Sequence, residues 1–135
     1  MTGGASAPLF HIVAADTWRT VPAGRSYAPP SLASEGFVHL SYGHQVQAVA
    51  NDLYRQDDGL IVLELDAERL TGDVREEDLY DAGQLFPHLY SALPQGAVVA
   101  VHELRRGTDG HYRFPVAALV ADPLAEDPAA ERTGG

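Results

Sequence analysis

Only one stretch of this chain carries helical periodicity for longer than a turn: across residues 43–55, Val46, Val49, Ala50, Leu53 and Tyr54 recur three and four apart. Every other apolar segment is a short β-prone run, fenced off by Pro, Gly or Asp. The strong runs are residues 9–13 (LFHIV), 37–41 (FVHLS), 60–65 (LIVLEL) and 97–104 (AVVAVHEL), with a weaker one at 73–76. A return strand over 112–118 is expected to pair back on 97–104 after the Thr108-Asp109-Gly110 turn. Short helical turns are predicted after Asp16, read as an N-cap, and over 31–36, closed by Gly36. One main helix set among roughly five to seven short strands predicts an α+β fold.

At 135 residues the chain has room for one domain. The ends are small, polar or acidic and rich in Pro and Ala, so the folded part is expected to be 9–121, with 1–8 and 122–135 as flexible tails. Nine Arg and no Lys face nineteen acidic residues, a net charge of −10 that opposes an extended nucleic-acid duplex. A small phosphate-bearing ligand held inside a cleft is not excluded by that charge, because local groups dominate there. Without Cys there is no disulfide, thiolate nucleophile or Cys-ligated metal, and without Lys no Schiff base or phosphate-loop lysine. No run approaches the ~20 apolar residues of a membrane span, and residues 1–10 lack the pattern of a secretory leader. The expectation is a cytoplasmic protein off the membrane, read as a monomer.

The chemistry-bearing residues are the histidines, six in all. His11 and His39 lie in the middle of two predicted strands, where alternation sends an imidazole to the face opposite its neighbours. Two such strands side by side would bring both rings into one cleft. His88, in the Phe86-Pro87-His88-Leu89-Tyr90 segment, is the third candidate. These histidines are dispersed and show no HExxH or His-x-His spacing, so no metal site is predicted.

The segments LFHIV, SLASEGFVHLS with Gln45 beyond it, GLIVLELDAERL, VREED and GQLFPHLY together resemble the bacterial domain-of-unknown-function family 952 over residues 9–104. Leu40 and Ser91 stand where that family often has Cys and Gly. The family is similar in turn to the tRNA 2′-phosphotransferases of the ADP-ribosyltransferase superfamily. That resemblance implies an ADP-ribosyltransferase-like split β-sheet and a cleft for NAD or another ADP-ribose-type nucleotide. It places His11 and His39 at the positions that flank the nicotinamide ribose. The catalytic candidates are then His11, His39, His88 and, by residue type alone, Glu76. The ligand-binding candidates are His11, Tyr27, Ser31, Glu35, Ser41, Gln45 and Tyr90. The arginine-bearing N-terminal module of the phosphotransferases has no counterpart in this sequence, and Arg25 and Arg75 are its nearest substitutes by type. The expected activity is NAD-dependent transfer; the alternative is a nucleotide- or small-molecule-binding module without turnover.

Overall fold

A computed structural model of the chain describes residues 7–79 and 81–114. Its centre is an antiparallel sheet built from β1 (Leu9–Ala14), β3 (Ser41–Tyr42), β4 (Leu60–Leu65) and β7 (Val98–Glu103), in the order β3-β1-β4-β7. A second sheet holds β2 (Val38–His39), β5 (Val74–Glu77) and β6 (Phe86–Leu89), in the order β2-β6-β5. A two-stranded ribbon of β8 (Arg105–Arg106) and β9 (Tyr112–Arg113) closes the described chain. The helices are α1 (Ala15–Arg19), α2 (Pro30–Glu35) and α3 (Gly43–Leu53). Mixed α+β architecture with antiparallel sheets and few helices is what the periodicity predicts. Among the described residues, no helix is long and apolar enough to cross a membrane.

β1 reads as an apolar run interrupted only by His11 because both of its faces are covered. Phe10 and Ile12 point to one side, into a core with Val46 and Ala50 of α3, Leu60 and Val62 of β4, and Tyr112 and Phe114. Leu9 and Val13 point to the other side, into a core with Leu63 and Leu65 of β4, Val38, Leu40 and Leu89. The central sheet therefore separates two apolar clusters, with α3 over one and the second sheet over the other. α3 presents the stripe that its spacing predicts, with Val46 and Ala50 completely buried, while Leu53 at its end is exposed.

Three local expectations change, and a strand forms in one segment for which the sequence predicts no element. Residues 37–41 do not form one strand: the chain leaves the second sheet at His39, and Leu40 donates its N–H to the Pro87 carbonyl at 3.0 Å. It then joins the central sheet at Ser41. Residues 86–89 are a strand, held between β2 and β5, although the proline argues against one; Pro87 pairs opposite Glu76 without needing an N–H. The return strand pairs Tyr112 with Arg106 and Arg113 with Arg105, beyond β7 and not on it, and its expected continuation past Phe114 lies outside the described residues. Asp16 lies within the first turn of α1, whose N-cap is Ala14 with no side-chain hydrogen bond. Gly36 does close α2, at φ 92°, where its N–H reaches the Leu32 and Ser31 carbonyls.

Candidate functional site

β3 pairs with β1 only at Leu9 and Phe10, because the chain before Ser41 belongs to the other sheet. Beside His11 and Ile12, beyond the end of the β1–β3 pairing, lies a cavity of about 370 Å³. Its apolar lining comes from Ile12, Leu40, Val49, Leu53 and Phe86 with Tyr54, and its polar lining from His11, Glu35, His39, Ser41 and His88. Five of the residues singled out in the sequence thus meet in one concavity. His11 and His39 come from different sheets, not from adjacent strands, and the cavity takes its lining from both sheets, α2 and α3.

His11 is buried, and its Nδ1 lies 2.8 Å from the carbonyl oxygen of His39. Burial pushes its pKa down to about 4, against the opposing pull of that hydrogen bond and with a smaller contribution from the His39 charge. A neutral imidazole facing a carbonyl must carry its proton on Nδ1, since the oxygen can only accept. Nε2 is then a bare acceptor. Tyr27 packs 5.8 Å away, ring to ring, and is fixed by a backbone pair with Leu93.

His39 and His88 stand opposite one another in the β2–β6 register, with ring centres 5.7 Å apart. His39 Nε2 lies 3.4 Å from a carboxylate oxygen of Glu35, the last residue of α2. His88 is more enclosed: its ring stacks on Phe37 at 4.1 Å, and its Nδ1 lies 2.9 Å from Glu77. Tyr90 donates its hydroxyl to the same Glu77 oxygen at 2.7 Å, while the Arg75 guanidinium sits 4.5 Å over the Tyr90 ring. The Tyr90 hydroxyl and the His88 ring hold the Glu77 carboxyl below the usual carboxylate range.

The remaining candidates surround the cavity without lining it. Ser31 donates to the Phe37 carbonyl at 2.8 Å and so ties α2 to the start of β2. Gln45 accepts from the Tyr42 N–H and donates to Gln84 and to the Leu85 carbonyl, anchoring α3 to the chain just before β6. Glu76 accepts the Tyr42 hydroxyl, and that bond follows burial as a cause raising the tyrosine pKa. Glu77, its neighbour, was not singled out in the sequence. Successive residues in a strand point to opposite faces, so only one of the two can meet His88, and nothing local in Arg75-Glu76-Glu77 says which. Among the described residues, no three His, Asp or Glu side chains are grouped as metal ligands.

The fold is mixed α+β with antiparallel sheets, and it carries a cavity lined in part by three histidines. The chain belongs to the family described as "Protein of unknown function (DUF952)", which it matches over residues 12–101. It is similar to protein CC0527 from Caulobacter crescentus. The crystal structure of that protein shares 32% identity with a TM-score of 0.68, over 79% of this chain and 94% of that one. Its solution NMR structure shares 31% identity with a TM-score of 0.66, over 77% and 90%. No curated protein matches the chain.

Proposed function

We propose that the cleft binds the ribosyl-heterocycle end of NAD or a related ADP-ribose-type nucleotide, within an ADP-ribosyltransferase-like split sheet, and that the protein is an NAD-dependent transferase. The observation that carries this reading is the fixed state of His11. A neutral ring locked by the His39 carbonyl leaves one acceptor nitrogen beside a half-apolar cavity, which suits a sugar hydroxyl next to a flat ring. A volume of about 370 Å³ lies at the small end of ligand pockets, fitting a ribosylated ring better than a whole dinucleotide.

In this reading His11 Nε2 accepts from a ribose hydroxyl, and Leu40, Val49 and Phe86 wall the ring. His39, paired with Glu35, stands at the reacting side, where imidazole and carboxylate favour positive charge developing on the sugar. His88 takes the proton of the attacking hydroxyl, and the apolar wall limits water. Bound NAD would supply a ribose C1′–N bond whose cleavage releases nicotinamide.

A second reading rests on the lining itself, in which no Arg stands among the described residues. A pyrophosphate has no cationic partner inside the cavity, so the same groups suit a module that binds a smaller uncharged ligand without turnover.

Thermal shift and calorimetry with NAD, ADP-ribose and nicotinamide, alongside an assay for nicotinamide release, separate the two. A ligand at about 100 times its Kd stabilises the fold by about 2.7 kcal/mol. Stabilisation by NAD that is lost in His11→Ala, together with nicotinamide release, is the expected result. Binding without release selects the module, and no response to any of the three removes the nucleotide from the account.

A further inference from the structure

We infer that Glu77 is a positioning residue that holds His88 as the proton acceptor of the cleft, the two forming a carboxylate–imidazole dyad braced by Tyr90 and Phe37. This deepens the transferase reading and, for its catalytic consequence, rests on it; the state of the imidazole does not.

The geometry supports each link. His88 is 2% exposed, so its ring cannot turn freely, and the stack on Phe37 fixes its plane. Glu77 lies 2.9 Å from Nδ1. It also receives the Tyr90 hydroxyl, and Arg75 packs over the Tyr90 ring. A carboxylate fixed in that way can only accept, so the neutral ring carries its proton on Nδ1 and leaves Nε2 bare. Among the described residues, His111 Nδ1 is the one fully enclosed side-chain nitrogen or oxygen without a hydrogen bond. Nε2 of His88 meets no hydrogen-bond partner among the described residues, it is not enclosed in that sense, and the ring lines the cavity. The arrangement is that of an oriented general base: an imidazole acting on one side, a carboxylate steadying the other.

An acceptor O–H, water in the simplest case, gives its proton to Nε2 of His88 as its oxygen forms a bond to C1′ of the ribose. The C1′–N bond breaks, and its electron pair leaves with the neutral nicotinamide. The resulting imidazolium keeps both N–H protons, one of them on the Glu77 carboxylate, which stabilises the charge. Glu76 cannot take this part from its place against Tyr42, on the other face of β5.

The test uses the full chain and two readouts. Long-range 1H–15N correlation spectra report the tautomer of each histidine without any ligand. His88 is expected as Nδ1–H in the wild type and as a mixture of tautomers in Glu77→Gln, with His11 unchanged as Nδ1–H in both. An Nε2–H tautomer in the wild type, or one pure Nδ1–H state surviving Glu77→Gln, overturns the dyad. Should Glu77→Gln not fold, Tyr90→Phe removes one brace and is expected to shift the same signal part of the way; an unchanged spectrum overturns the brace. With NAD and water as reactants, Glu77→Gln is expected to lower kcat for nicotinamide release by about 10²-fold or more with little change in KM. An unchanged kcat overturns the catalytic consequence. A wild type that releases no nicotinamide overturns the transferase reading and, with it, that consequence, while the tautomer spectra still decide whether Glu77 orients His88.

Discussion

The two faces of the central sheet are built from different materials. Over one face, α3 and the β8–β9 ribbon bury Phe10, Ile12, Val46, Ala50, Val62 and Phe114 against one another, and Phe10 and Phe114 meet edge to face at 5.6 Å. Over the other face the second sheet turns its own apolar side inward, through Val38 and Leu89, and carries Phe37, His39, His88 and Tyr90 with Glu77 on its opposite side. The first region rests mainly on burial of apolar volume, which tolerates little loss, with Asn51 and Gln47 of α3 tying the backbone of Tyr112 and Phe114 at its edge. The second relies on hydrogen bonds and ring stacking that fix where each imidazole points. The cavity draws on both regions, with Val49 and Leu53 of α3 and Ile12 of β1 from the first and His39, Phe86 and His88 of the second sheet from the other.

Removing volume from the apolar face should sharpen that contrast most. Phe10→Ala deletes a completely buried ring and is expected to cost about 3–5 kcal/mol in urea unfolding. A loss under 1 kcal/mol would show that this core is not the main support of the fold.

The next effect comes from acid. His11 has a folded pKa of about 4 against an ordinary 6.5, so below pH 6.5 the unfolded chain binds the proton that the folded chain refuses. Stability therefore falls as pH drops through the window from 6.5 to 4, by about 2 kcal/mol between pH 7 and pH 5. Denaturation midpoints of His11→Asn across that range are expected to lack this component. If the wild type and His11→Asn lose stability in parallel, the imidazole is not held neutral in the fold.

Smaller losses are expected on the polar side. Gly36→Ala forces a β-carbon into a φ of 92° at the end of α2 and should cost about 1 kcal/mol or somewhat more by thermal unfolding. Tyr90→Phe removes one hydrogen bond to Glu77 and is expected to cost about 1 kcal/mol or less, while shifting the His88 tautomer. A Tyr90→Phe loss as large as that of Phe10→Ala would erase the distinction between the two faces.

Much of the frame was legible before the tertiary structure. α3 follows from its stripe, β1, β4 and β7 from their apolar runs, and Gly36 from the need to end α2. The meeting of His11 and His39 in one cleft was readable from strand alternation, although the expected side-by-side strands are in fact in different sheets, and His88 joins them there as the third candidate. The strand at Phe86–Leu89 was hidden by Pro87, whose missing N–H matters only once its neighbours are known.

The sequence by itself determined which segments are apolar, where the one long helix lies and which residue types are available for chemistry, because period and composition are local properties. The tertiary structure decided which of them meet. The switch of sheets at Leu40, the bond from His11 to a carbonyl 28 residues away and the choice of Glu77 over Glu76 all depend on register between distant strands. That register is set by packing the two apolar clusters on either side of β1, and no short stretch of the chain contains it.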